Sequence, residues 1–395
     1  MTLAMDFSRT LPDDAGRALL VGRLWLPDAH GGMPRPVALH QGALRDLSSL
    51  APTVSGLLAL DDPAAAVRAA LAAGTAPALA AWADVAANAD ETARDASRPW
   101  LLAPCDLQVV KASGVTFVAS LLERVIEEQA RGDAGKAQGI RAALSGILGD
   151  NLAGIVPGSA EAARVKQVLL AQGAWSQYLE VGIGPDAEIF TKAPVLAAVG
   201  TGAQVGILAS SAWNNPEPEV VLAVNPRGQV VGAALGNDVN LRDIEGRSAL
   251  LLGKAKDNNA SCAIGPFIRL FDAHFGIDEA RRIELAMRVD GEDGFTLHGS
   301  SSLARISRDP LAIVAQAIGP NHQYPDGFML FLGTMFAPTQ DRFGPGQGFT
   351  HAVGDVVTVA TPALGALVNR VNHCDAILPW TFGIGALMRG LARQR

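Results

Sequence analysis

Glu217 and Glu219 stand two residues apart at the head of the apolar run Val220 to Val224. In extended structure this spacing sends both carboxylates off the same face. Side by side they repel, so they are either solvated residues of an edge strand, where Pro216 and Pro218 would also be comfortable, or ligands of something positive. The next twenty residues of the chain favour the second. Asn225-Pro226-Arg227-Gly228 has turn chemistry, and Val230 to Leu235 is a second β-like run that ends in Gly236-Asn237-Asp238, so the segment reads as a hairpin. Folding back carries a third carboxylate, Asp238, towards the first two. Counting from the middle of the turn places Asp238 opposite Asn215, a little past Glu217, so convergence requires a bulge or bend, for which Gly232 and Gly236 are candidates. Three carboxylates with no compensating base among them call for a hard cation: Mg2+ by default, with Mn2+ or Ca2+ as alternatives.

The rest of the chain must position that hairpin. Its 395 residues, 49% hydrophobic and 18% charged, describe a globular protein with enough chain for a large core or two domains. We expect a small N-terminal α/β region over residues 1–100 and a catalytic domain over 101–395. In the first, Arg17 to Leu26 and Pro36 to Gln41 read as strands, Asp62-Pro63 opens an Ala-rich helix to about Ala73, and a second helix is expected from Pro77 to Ala87. His40 there is expected to be structural. Beyond Trp100, Leu107 to Val110 is strand-like, Lys111 to Phe117 reads as a loop, and Val118 to Ala130 is an amphipathic helix with Leu121, Leu122, Val125 and Ile126 on one face. Further helices are punctuated by Gly132 to Gly135 and Gly149-Asp150-Asn151, Ser159 to Leu170 being the clearest, and Gly182 to Pro185 reads as a loop at the mouth of a pocket. The last third alternates β-like runs and loops, which suggests a mixed, mostly antiparallel sandwich or roll.

Several function classes fall away. A net charge of −7 with scattered Lys and Arg argues against nucleic acid. No run approaches the ~18 apolar residues of a membrane span and nothing resembles a signal peptide, so no membrane partner and a cytoplasmic location are expected. Cys105, Cys262 and Cys374 suit reduced thiols rather than a disulfide or zinc framework. Ala198 to Gly206 suggests a dinucleotide loop, but the third glycine of that fingerprint falls at Val205.

Glu-x-Glu, then Asn237-Asp-Val-x-x-Arg-Asp243, then Ala255-Lys256 followed by Ile264-Gly-Pro266, resembles the fumarylacetoacetate hydrolase superfamily. Ile189-Phe190-Thr191-Lys192, Leu332-Gly333-Thr334, Val353 to Val357 and Leu364-Gly365 extend the likeness over roughly residues 100 to 375. It implies an α+β fold of that type with peripheral helices, Glu217, Glu219 and Asp238 as metal ligands, and Lys256 as the family's lysine. Lys256 beside a cation and partly desolvated would have a lowered pKa and could carry protons, with Lys254 as a neighbour easily confused with it. Hydrolytic relatives carry a His and a Glu in the helix after Gly114; here those positions are Ser120 and Glu123. Glu245 stands where they commonly have glutamine, and Ala260, with Ser261 adjacent, where they commonly have threonine.

The run Arg242-Asp-Ile-Glu-Gly-Arg-Ser-x-Leu-x-x-x-x-Ala-Lys256 resembles instead the branch that dehydrates 2-keto-3-deoxy sugar acids. The expected reaction is dehydration of 2-keto-3-deoxy-D-pentonate (xylonate or arabinonate) to 2,5-dioxopentanoate. The alternative is a C–C hydrolase or decarboxylase of an acylpyruvate or diketo acid. Lys256, Glu123 and Glu245 are the candidate catalytic residues. Lys111, Ser113, Phe190, Lys192, Arg242, Ser261 and Thr334 are the candidate contacts to a 2-oxo sugar acid, with His298 to Ser302 where relatives cover the substrate. His322, His351 and Asp341 are further loop candidates. Assembly as a homodimer or homotetramer is expected.

Overall fold

The computed structural model describes residues 3–140, 155–171, 173, 175–336 and 338–393. The expected break at Gly149-Asp150-Asn151 lies outside the described residues. Two sheets carry the fold. The larger, of 11 strands, runs from Ala78–Ala81 through Ala43–Asp46, Met33–His40, Leu20–Leu26, Cys262–Leu270, Val230–Asp238, Pro218–Val224, Phe328–Phe331 and Val109–Gly114 to Glu188–Ala193, with Trp100–Leu102 attached to Leu20–Leu26. The smaller, of 5, is ordered Thr296–Ser302, Glu284–Asp290, Val356–Thr361, Gly365–His373, Gln204–Ile207. Within these two sheets, pairing is antiparallel except between Phe328–Phe331 and Val109–Gly114, and between Gly365–His373 and Gln204–Ile207. The result is the expected mixed, mostly antiparallel architecture with helices at its margins.

Alternation along the strands divides the core. Val220, Leu222 and Leu235 face the smaller sheet and pack with Leu285, Met287, Val289, Val357 and Val359. Their neighbours Val221, Ala223 and Ala234 face the other way, against Val54, Leu57 and Val67 of the helices Val54–Leu58 and Pro63–Ala72. Full burial of each such aliphatic side chain stabilises by about 1.5–3 kcal/mol, so both faces of the central hairpin are anchored. Leu20–Leu26 joins Cys262–Leu270 through Leu20↔Arg269 and Val21↔Ile268, so the sheet runs on from the N-terminal hundred residues into the rest of the chain.

Two local expectations need correction. Ala78–Ala81 is a strand on Ala43–Asp46 and only Trp82–Ala87 is helical; sheet pairing overrides alanine's modest helix preference. Val109–Gly114 is a strand where a loop from Lys111 was expected, because it is sandwiched between Phe328–Phe331 and Glu188–Ala193. The helix Val118–Ala130 has the expected bounds, with Leu121, Val125 and Ile126 buried against Leu179, Ile183 and Trp213. Residues 182–183, expected to open a loop, close the helix Gln177–Ile183, and Arg308 donates to its terminal carbonyls at Val181 and Gly184.

Candidate metal centre and active site

The hairpin brings its three carboxylates together in two steps. Asn225 N–H donates to Gln229 O at 2.9 Å, and Val224 pairs with Val230, which makes the turn one place longer than a count from its centre. Ala223 then pairs with Gly232, leaving Val231 as a bulge beside that glycine. Each step slides the second strand one residue, so Asp238 moves from its expected place opposite Asn215 to Glu217, whose carbonyl accepts from Asp238 N at 3.0 Å. Glu219 lies opposite Gly236 and hence diagonal to Asp238. One carboxylate oxygen from each of Glu217, Glu219 and Asp238 falls within 4.8 Å of the others, and all three residues are buried.

Bases absent from the local sequence arrive from other elements. Lys256, closing the helix Leu252–Lys256, reaches Glu217 and sits 3.1 Å from Asp238 Oδ2. Lys192 places Nζ 2.8 Å from Asp238 Oδ1 and donates to Val239 O at 3.0 Å. Arg124 pairs with Glu217, and with Glu127 and Glu245 at 2.7 and 3.0 Å. Gly333 N donates to Glu219 Oε2 at 2.6 Å. Gly333 has φ +88, and a Cβ there would fall 2.1 Å from Thr116 Oγ1, so the approach of this loop to the carboxylate requires glycine.

Oxygen-only donors, buried and clustered, suit a hard divalent cation. Asp238 Oδ1 lies at ion-pair distance from Lys192 but without hydrogen-bond alignment, so it retains accepting capacity. Burial, then the charges of Asp238 and Glu217, push Glu219 well above the usual carboxylate range. Burial would raise Asp238 as well, but Lys192 and Lys256 outweigh it and hold that group low. For Lys256 burial would favour the neutral amine, yet Asp238, Glu217 and Glu245 outweigh burial and raise its pKa. This is opposite to the expected lowering, which rested on a neighbouring cation; the nearest charges within the protein are mostly carboxylates.

The remaining candidates divide by face. Phe190 and Lys192 share a face of Glu188–Ala193, and Lys256 Nζ lies 5.7 Å from the Phe190 ring centre. Lys111 and Ser113, paired with Thr191 and Ile189, belong to the opposite face of their strand from the Ala112–Phe190 pair, a consequence of strand alternation where a loop was expected. Lys111 Nζ donates to Thr191 Oγ1 at 2.9 Å. Ser261 donates to Lys256 O at 2.7 Å and braces the loop behind that lysine. Thr334 is buried with its hydroxyl accepting from Phe336 N, and Ser301 accepts from Met335 N. Arg242 uses its donors on Glu127, Glu123 and Pro338 O and lies over Trp213, so Glu123 and Arg242 form a clamp beside the cluster. Glu245 is raised by burial and held 3.0 Å from Arg124. Ser120 donates to Phe117 O within its own helix. His351 pairs with Asp355 at 2.9 Å, Asp341 accepts from Gly346 and Gly348, and His322 packs on Tyr324.

Three residues that sequence reasoning missed stand out. Arg124 and Glu127 tie the helix to the hairpin and to Arg242. Glu188 lies two residues before Phe190 and four before Lys192, on the same strand face, and its carboxylate occupies the space above Gly114. Burial, then the charge of Glu245, push Glu188 up to about 7. The alternation Glu-x-Phe-x-Lys was the signal that would have found it.

Residues 184–372 match the model of the fumarylacetoacetate hydrolase C-terminal domain. The chain is similar to a probable 2-keto-3-deoxyxylonate dehydratase of Haloferax volcanii, 27% identical over 195 residues, covering 49% of this chain and 63% of that one. It is also similar to a 2-dehydro-3-deoxy-D-arabinonate dehydratase of Saccharolobus solfataricus, 28% identical over 185 residues, covering 47% and 58%. Each match spans less than two thirds of the relative's length. Among solved structures, a 2-keto-3-deoxy-D-arabinonate dehydratase in its apo form superposes with a TM-score of 0.60 at 18% identity, over 90% of this chain and 99% of that one. A structure of 2-keto-3-deoxy-D-arabinonate dehydratase with magnesium and 2,5-dioxopentanoate gives 0.59 at 18% identity over the same shares. Residues 184–372, which hold the three clustered carboxylates and both lysines beside them, are the part of the chain that belongs to the fumarylacetoacetate hydrolase superfamily.

Proposed function

We propose that this chain catalyses the metal-dependent dehydration of 2-keto-3-deoxy-D-pentonate to 2,5-dioxopentanoate. The observation that carries the reading is the buried Glu217, Glu219 and Asp238 cluster with Lys256 reaching across it. The names of the two curated relatives and of the magnesium-bound structure point the same way. These three carboxylates would hold the cation, Mg2+ by default, and a divalent cation there acts as a Lewis acid on a 2-oxo group and acidifies the adjacent C3.

The protein's own groups do the rest. Glu188, on the face shared with Phe190 and Lys192, removes a C3 proton at its carboxylate. Lys256 delivers a proton from Nζ to the C4 hydroxyl, the C4–O bond breaks, and water leaves with formation of the C3–C4 double bond. Transfer of a proton from C5 to C3, then ketonisation of the resulting enol, gives the C5 aldehyde, so the substrate has lost one water and nothing else. After burial, Glu245 is the largest influence raising Glu188, and after burial, Asp238 and Glu217 it also raises Lys256, while Arg124 opposes both shifts. Where hydrolytic relatives place a histidine to activate water, the helix offers Ser120, turned to Phe117 O, so this position carries no base.

The test is product identity. With Mg2+ and 2-keto-3-deoxy-D-pentonate, the expected product is 2,5-dioxopentanoate, read by an aldehyde dehydrogenase coupled to nicotinamide reduction. Pyruvate as the principal product would mean C–C cleavage and would replace this reading with a hydrolase or aldolase-like one.

A further inference from the structure

A cavity of about 280 Å³ opens between the N-terminal strands and residues 377–382, and none of the clustered carboxylates lines it. Trp25, Trp100, Trp380 and Phe382 line it among aliphatic residues, with Arg23, Arg94 and Glu91 as its charged groups, Glu91 accepting from Gln204 N at 2.7 Å. Trp25 and Trp100, paired across adjacent antiparallel strands, stack with ring centres 5.7 Å apart and planes 25° apart, and Phe382 meets Trp25 edge-on at 5.1 Å. The Arg94 guanidinium lies over Trp100 at 5.0 Å. At the base is Arg23, two residues before Trp25 on the same strand and only 5% exposed.

Arg23 is unlike the other buried arginines. Arg242 and Arg269 each hold a carboxylate, Arg370 lies 3.7 Å from Asp90 Oδ2 and donates to two carbonyls although its Nε too has no partner, and Arg308 donates to three carbonyls. Arg23 donates to a single carbonyl, Cys105 O, its Nε has no partner, and no carboxylate of the described residues lies within 4.0 Å of it. The acid that most influences it, Asp106, is already committed to the N–H groups of Val54, Ser55 and Leu107. A buried cation satisfied by one neutral acceptor is costly, and an anion brought from outside removes that cost.

We propose that this cavity is a second ligand site, one that takes a small planar carboxylate. The guanidinium of Arg23 offers a flat fork that matches a carboxylate, with Arg94 at the rim, while the indoles of Trp25 and Trp100 cover a flat apolar body. The volume limits that body to about one ring. A bare inorganic anion would leave the aromatic rings uncovered, and a neutral ring would leave Arg23 unpaired. The cavity also touches Asn259 and Ala260, just beyond Lys256, so an occupant lies behind the loop that carries the lysine without entering the carboxylate cluster.

Three of the six tryptophans line the cavity, which gives a direct readout. The intact chain is titrated, following tryptophan emission, with benzoate, with benzyl alcohol as the neutral counterpart, and with inorganic phosphate as the anion without a ring. Saturable quenching by benzoate is expected, with affinity at least tenfold above either control. Arg23→Met should weaken benzoate at least tenfold and Arg94→Gln several-fold. Should Arg23→Met fail to fold, Arg94→Gln and Trp100→Leu, both nearer the rim, carry the same comparison. Absence of saturable quenching by benzoate, equal affinity for benzyl alcohol, or unchanged benzoate affinity in folded Arg94→Gln and Trp100→Leu proteins overturns the proposal.

Discussion

The hairpin that carries Glu217, Glu219 and Asp238 and the helix that carries Glu123, Arg124 and Glu127 meet at Arg124, yet they hold charge in opposite ways. On the helix side the acids are matched: Glu127 divides its two oxygens between Arg124 and Arg242, and Glu123 takes a further donor of Arg242. On the hairpin side three carboxylates crowd one another, with Lys192, Lys256 and Arg124 all on Glu217 and Asp238 and none of these on Glu219, and the pKa values are driven apart, Glu219 up and Asp238 down. Matched pairs hold a structure together. Crowded like charges persist where they serve binding or chemistry, because the repulsion has no structural use.

That contrast can be broken most directly at the hairpin. Asp238→Asn and Glu219→Gln should each lower turnover at least a thousandfold and abolish Mg2+ binding; a calorimetric titration giving normal Mg2+ affinity in either protein would end the metal assignment. Next in size is Lys256→Ala, expected to lose a hundredfold or more in kcat while still binding Mg2+. Lys254→Ala, at an exposed position, should stay within about twofold, and equal losses in the two would remove the reason to single out Lys256. On the helix side the expected effect is on stability. Glu127→Gln leaves Arg124 and Arg242 short of a buried partner and should cost about 3 kcal/mol, read as a lower Tm with Mg2+ affinity changed only a few-fold; loss of Mg2+ binding in a folded protein would erase the difference between helix and hairpin.

The smallest effect concerns pH. With Glu188 as the base, kcat should rise with pH through about 7, and Glu188→Gln should lose that limb. The sign for folding is the reverse. A carboxyl raised in the folded state contributes stability below its unfolded value near 4.5, and that contribution is lost as pH rises through about 7. Glu188→Gln should therefore gain more in Tm at pH 8 than at pH 5, and an equal change at both would show that Glu188 does not titrate as described.

How far these features were legible depended on sequence distance. The bounds of Val118–Ala130 follow from local periodicity and agree with the structure, while the hairpin strands, expected over Val220 to Val224 and Val230 to Leu235, extend to Pro218 and Asp238 at the end that carries the carboxylates. Convergence of Asp238 was legible as a need for a bulge, though not its place at Val231, since a bulge is set by pairing with a neighbour. Arg124 carries no signal in the local sequence because its partners Glu217 and Glu245 lie in other elements. Lys111 and Ser113 were read from a presumed loop, and the parallel strand Phe328–Phe331 that makes the segment extended is too remote to anticipate. Gly200 belongs to a run that imitates a nucleotide loop; a Cβ there would fall 2.6 Å from the Leu102 carbonyl carbon, so the glycine serves a close crossing of two backbones.

The bulge at Val231 is one spare place in the chain between the turn and Asp238, so shortening and lengthening this segment have unequal effects. Val230 and Gly232 already pair with the adjacent residues Val224 and Ala223, so deleting Val231 closes the ladder and leaves Asp238 opposite Glu217, whereas an inserted residue that the bulge does not absorb slides Asp238 past Glu217 and turns its carboxylate to the opposite side of the sheet, towards the layer packed by Leu285 and Val357. Divergent copies of this hairpin can lose the bulged residue and keep the carboxylates together, but a net insertion must be matched by a deletion, and a library built on this scaffold should keep Gln229, whose side-chain oxygen accepts from Asn225 and Arg227 in the turn.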